Sequence, residues 1–286
     1  MTTLLSTVGF TEFLSINPFL LFALIAGIAA SVTSGIIGSY VVIKRIVFIS
    51  GSIAHSVLGG MGFCLWMRRT YEFDFLNPLQ GASVSALLSA LLMGWIHLKY
   101  KEREDSIIAA LWATGMSIGV IFITFTPGYN VELMNFLFGN ILWVTESDIW
   151  LLRSLDIIVV IFTLIFYRRF QAICFDEEQA YLQGITVKAL YLLLLCLVAL
   201  SVVILIQVVG AILVISMLTI PAAVAGFLTH RLSAMMWIAI GMGILYTCLG
   251  IYISYRLNWP PGATVSLVAA LFYAAFLVRS RLRTLA

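Results

Sequence analysis

An all-α, polytopic membrane bundle of eight or nine transmembrane helices is the fold class predicted by three features of the sequence. Hydrophobic residues fill 62% of the 286 positions and charged residues 10%, with a mean hydropathy of +1.09. Soluble domains carry about a quarter charged residues, so lipid must replace water over much of this surface. The apolar positions fall in runs of ~20 residues, the length that crosses a hydrocarbon core as a helix. The few cations gather between those runs, mostly on one side.

Taken in order, the spans are expected near 18–43, 46–67, 78–98, 106–126, 148–167, 188–208, 210–228, 234–254 and 262–279. The junction at Gln207, Val208 and Val209 is almost unpunctuated, which leaves the count at eight or nine. With the N-terminus outside, Lys44, Arg45, Lys99, Lys101, Arg103, Arg168, Arg169, Lys188, Arg231, Arg279, Arg281 and Arg283 share one side. Only Arg68, Arg69 and Arg256 face the other. The positive-inside rule makes the first side cytoplasmic. One transmembrane domain then covers 1–286, with residues 1–17 outside and a cytoplasmic tail at 280–286. The net charge of +3 points to no nucleic-acid partner. No Lys or Arg precedes Lys44, so the start lacks the cationic region of a signal peptide. Cys64, Cys174, Cys196 and Cys248 are scattered without a CxxC and read as filler.

Two stretches are not ordinary spans. Residues near 130–145 lie between a span ending outside and one starting outside. They are expected as a re-entrant or interfacial helix, with Tyr129 and Trp143 suited to the headgroup zone. Residues 168–187 are expected as a cytoplasmic loop carrying Asp176, Glu177 and Glu178 before Gly184. Asp176 could cap a short helix whose first turn holds the other two acids. On residue types alone, a solvated inter-helix loop is the better fit.

Within the spans, Gly27, Ser31, Gly35 and Ser39 recur every four residues. Ser52, Ser56 and Gly60, then Gly81, Ser85 and Ser89, then Gly115 and Gly119, do the same in the next three. Such stripes let helix backbones approach closely. His55 is the one deep histidine, eleven residues past Lys44 and so about 16 Å into the membrane. It is either a functional group facing a cavity or a hydrogen-bonded inter-helix residue. His97 and His230 border cations and read as interfacial. Arg153 and Asp156, three apart, are expected to pair along one helix face. Pro221 leaves the Met217 carbonyl without its helical donor, predicting a kink or a carbonyl facing a pathway. No GxxxxGK[ST], HExxH or GxSxG occurs, so the chain offers no phosphate-binding loop and no enzymatic signature.

Five segments together resemble the permeases of bacterial manganese-, zinc- and iron-type ABC importers. They are GSYVVIKRIVFISGSIAHSVLGG (38–60), VELMNFLFGN (131–140), FDEEQAYLQGI (175–185), VGAILVISMLTIPAAVA (209–225) and PPGATVSLVAALF (260–272), in the family's order. The resemblance implies a permease in the bacterial cytoplasmic (inner) membrane that imports a divalent transition metal. It implies a separate cytoplasmic ABC ATPase, a metal-delivering solute-binding protein outside, and a second permease copy, identical or related. No cofactor is implied beyond the transported ion. Phe175, Asp176, Glu177, Glu178, Ala180 and Gly184 then become the element coupled to the ATPase, and His55 the histidine that meets the metal. The family commonly has Asp four residues before that histidine and often Pro four after it; here these positions are Gly51 and Gly59. A second His55, or another acid such as Asp156, would have to complete the ligand set, since a lone imidazole is a poor site. An ATP-independent transporter or channel would also suit the bundle and His55, but leaves the 175–185 segment unexplained.

Overall fold

The computed structural model of the protein describes residues 18–73, 75–99, 104–128, 139, 141 and 144–285. In chain order the helices are α1 (Pro18–Ile43), α2 (Val47–Tyr71), α3 (Pro78–Lys99), α4 (Glu104–Phe125), α5 (Glu146–Phe175), α6 (Glu177–Leu182), α7 (Val187–Val209), α8 (Ala211–Leu228), α9 (Leu232–Leu257) and α10 (Pro261–Leu285). Among the described residues, nine helices, all but α6, are long and apolar enough to cross a membrane. Their lipid-facing character shows in large apolar side chains left exposed, such as Leu164 (73%), Ile165 (67%) and Trp237 (75%). In water those exposures would be costly; against acyl chains they are not.

Local signals set the helix ends. Proline opens α1, α3 and α10, where its missing N–H is an orphan in any case. Asn77 caps α3 by accepting from the Leu79 amide at 3.2 Å, and Gln80 returns the bond to the Asn77 amide at 3.2 Å. Thr145 and Asp148 form a reciprocal capping box on α5. Gly210, with φ +85°, separates α7 from α8, which places the break one residue past the unpunctuated junction. The described Gly139 also has positive φ, and a side chain there would strike the Val209 carbonyl at that same break. Otherwise the segment expected as a re-entrant or interfacial helix lies largely outside the described residues, as do residues 1–17.

Helix α1 is the central strut, flanked by α5, α7, α8 and α9. Its small-residue stripe is what allows this: Gly27 and Gly35 lie under Thr247 and Ile240 of α9, and Ser31 faces Gly243. Helices α2, α3 and α4 form a second group joined to the first chiefly through α3 and α7. There Gly60 and Gly81 meet backbone to backbone, and Ser85 donates to the Ser56 carbonyl at 2.8 Å. Helix α10 closes the far side against α8 and α9, with Ser216 and Ser266 sharing a hydrogen bond of 2.8 Å.

Three expectations need correction. Residues 168–175 are not loop: α5 continues through Phe175, because Phe170, Ile173 and Cys174 still face the bundle and are buried there. The final helix likewise runs on to Leu285 rather than ending in a tail at 280. Arg153 and Asp156 do not pair. The Arg153 guanidinium lies over the Trp150 ring at 5.3 Å, while Asp156 accepts from the Thr33 hydroxyl at 2.5 Å across the α1–α5 contact.

Candidate functional site

His55 sits two turns into α2, on the side that meets α4. Its ring stacks on Trp112 with centroids 4.3 Å apart and planes 14° from parallel. The surrounding α2–α4 contact is tight. Ser52 donates to the Ile108 carbonyl at 2.9 Å, and Gly115 lies against the Ser56 backbone. The imidazole is half-buried. Gly51, one turn earlier, would place a β-carbon 3.6 Å from the Trp112 ring, an ordinary contact. A side chain there would therefore fit. At Gly59 a β-carbon would lie 3.0 Å from the Gly115 carbonyl, so close helix packing favours glycine over the family's proline.

Asp156 is not brought to His55. It belongs to the α1–α5 contact through Thr33, whereas α2 packs on α3 and α4. Among the described residues no three His, Cys, Asp or Glu side chains gather in a metal-holding group. The α8 helix continues across Pro221, and Met217 is buried inside the bundle.

At one end of the bundle, Asp176 caps α6 by accepting from the Gln179 amide at 2.9 Å. The helix closes in a Schellman turn: Gly184 N–H bonds Tyr181 O at 3.0 Å and Ile185 N–H bonds Ala180 O at 3.1 Å. Gly184 takes φ +77° there, a conformation that favours glycine. Ala180 is the buried residue of α6, while Phe175, Tyr181 and Leu182 are 60%, 73% and 84% exposed. Asp176 and Glu178 are exposed beside them. A cleft of about 230 Å³, lined in part by Arg168, Phe175, Asp176 and Gln183, runs alongside.

Glu177 behaves differently from its neighbours. Its carboxylate is ion-paired with Lys44 of the α1–α2 turn and lies 3.7 Å from His97 Nε2 at the end of α3. The neighbouring His97 leads in holding its pKa down to about 2, with Lys44 adding to it and partial burial opposing. Sequence reasoning set His97 aside as interfacial. No spacing connects residues 44, 97 and 177; only their common side of the membrane hinted that they could meet.

The profile of the ABC 3 transport family matches residues 17–280. A "probable metal transport system membrane protein" of Chlamydia pneumoniae is 47% identical over 253 residues, covering 88% of this chain and 86% of its own. The "manganese transport system membrane protein MntC" of Listeria monocytogenes is 34% identical over 269 residues, covering 94% and 93%. Among solved structures, PsaBC from Streptococcus pneumoniae in complex with Fab superposes with a TM-score of 0.81 at 28% identity, over 93% of this chain and 94% of that one. With a match over nearly its whole length and nine apolar helices to cross the inner membrane, this chain belongs to the ABC 3 transport family, as a membrane-spanning permease subunit and not an enzyme.

Proposed function

We propose that this permease imports a divalent transition-metal ion into the cytoplasm, with manganese the first ion to test. The observation that carries the reading is the end-to-end similarity to proteins named for metal and manganese transport, joined to one deep imidazole on α2. A neutral imidazole binds Mn, Fe or Zn and exchanges quickly enough for passage. In this reading the permease works as a pair, since a lone imidazole is a poor site for such an ion. The partner copy's imidazole, or a backbone carbonyl, supplies the remaining contacts to the passing ion.

Helix α6 is the proposed dock for a cytoplasmic ABC ATPase. Its exposed Tyr181 and Leu182, with Phe175 at the end of α5, give an apolar anchor, and Asp176 and Glu178 a charged rim. A metal solute-binding protein delivers the ion on the opposite face. This assignment puts the Lys44 turn inside and the N-terminus outside, in keeping with the distribution of cations. The test is uptake of radioactive Mn²⁺ by proteoliposomes holding the permease with its ATPase and binding protein. Uptake that requires ATP and the binding protein is expected. Equal uptake without ATP would leave the channel or secondary-transporter reading in its place.

A further inference from the structure

Glu177 lies in the segment assigned to ATPase docking, yet it turns inward. Beyond its ion pair with Lys44, Lys44 Nζ donates to the Ile173 carbonyl at 3.1 Å. The Lys44 ammonium also lies 5.7 Å from the Tyr191 ring centre, and the His97 ring 4.6 Å from it. Five elements therefore meet around this ion pair: the α1–α2 turn, the end of α3, α5 through Ile173, the first turn of α6, and α7 through Tyr191. The side chains of Lys44, His97 and Glu177 are only 13%, 22% and 28% exposed. Salt screens such a group less than it screens a surface ion pair.

The position of Lys44 gives the cluster its consequence. It stands three residues before Val47, where α2 begins, and His55 lies eight residues further, about 12 Å along the helix. A displacement of α6 that keeps the Lys44–Glu177 pair intact must move the start of the helix that carries His55. The same carboxylate draws along the end of α3 through His97. Resting on the function proposed above, we propose that Glu177 is a positioning residue that transmits the movement of α6 through Lys44 and His97 to α2 and α3, leaving contact with the ATPase to its exposed neighbours.

The test uses the full complex in proteoliposomes with radioactive Mn²⁺, scoring metal moved per ATP hydrolysed. Glu177→Gln keeps the shape and removes the charge; Lys44→Met removes the partner. Each should lower the ratio by at least about fivefold, the low end of coupling between sites, while the ATPase stays bound. Asp105→Asn, at an exposed acid near the start of α4, should leave the ratio unchanged, and the swap Lys44→Glu with Glu177→Lys should recover most of it. A normal ratio in Glu177→Gln, loss of ATPase binding in that variant, or a swap no better than the single changes would overturn the link. Should the swapped chain fail to insert, Lys44→Arg decides in its place, a lowered ratio counting against the link. If the wild-type complex moves no Mn²⁺, the proposed function falls, and the link is read from distances instead. Spin labels at the exposed positions Phe48 and Gln179 should keep a fixed separation through the ATP cycle in wild type and lose it in Glu177→Gln. The same behaviour in both chains would overturn the link independently.

Discussion

Replacing Asp156 with Ala and with Asn separates a structural acid from a metal-handling one. Thr33 is fully buried and donates to Asp156 at 2.5 Å, so Asp156→Ala removes its acceptor and leaves a hydroxyl in the α1–α5 contact. An unsatisfied buried hydroxyl costs about 1–3 kcal/mol in soluble proteins. Inter-helix hydrogen bonds within membranes average nearer ~0.6 kcal/mol, with ~1.7 at the upper end. The Thr33 hydroxyl can also turn back to its own helix, as threonines do. We therefore expect Asp156→Ala to lose about 1 kcal/mol and Asp156→Asn, whose amide oxygen still accepts, less than half of that. The assay is reversible unfolding of the purified permease in mixed detergent micelles, beside Mn²⁺ uptake at matched expression. Both variants should retain uptake within about twofold, because a structural bond of this size acts on stability rather than on the ion. Lost uptake in Asp156→Asn with unchanged stability would refute the reasoning and return Asp156 to the pathway.

Three further outcomes are expected. Cysteines introduced at Thr3 and Thr284, in a chain cleared of native cysteines, should label from opposite sides of the membrane; equal labelling by an impermeant reagent would overturn the orientation. Lysine at both Asp176 and Glu178, with Glu177 untouched, should leave the chain inserted but weaken ATPase association, and unchanged association would remove the acids from the docking surface. Glu177 has a folded pKa lowered to about 2 from 4.5. Its contribution to stability is therefore complete above pH 4.5 and is lost as pH falls toward 2. The difference in unfolding free energy between wild type and Glu177→Gln should shrink as pH falls below 4.5; a difference unchanged from pH 5 down to 2 would contradict it.

The spans were legible because a bilayer leaves so little choice: a run of ~20 apolar residues must satisfy its own backbone. The small-residue stripes also carried real information, since Gly27, Gly35, Gly60, Gly81 and Gly115 all prove to be close helix contacts. What periodicity could not give was where a helix stops once it leaves the lipid. Residues 168–175 look polar enough for a loop, but Phe170, Ile173 and Cys174 supply a buried face that carries α5 onward. Partners were harder still. Asp156 had Arg153 within reach on its own helix, yet it bonds Thr33, 123 residues away. Such pairings depend on which helices become neighbours, and hydropathy says nothing of that.

The central claim is that His55 meets the ion. The most direct measurement is ATP-dependent radioactive Mn²⁺ uptake by His55→Ala, at matched expression and with ATPase association confirmed. Its ring stacks on Trp112 without holding the two helices together; the Ser52 bond to Ile108 and the Gly115–Ser56 contact do that. The variant should therefore insert, assemble and hydrolyse ATP while uptake falls to background. Uptake at the wild-type rate would show that His55 only packs against Trp112, and the assignment of the pathway to α2 would be wrong.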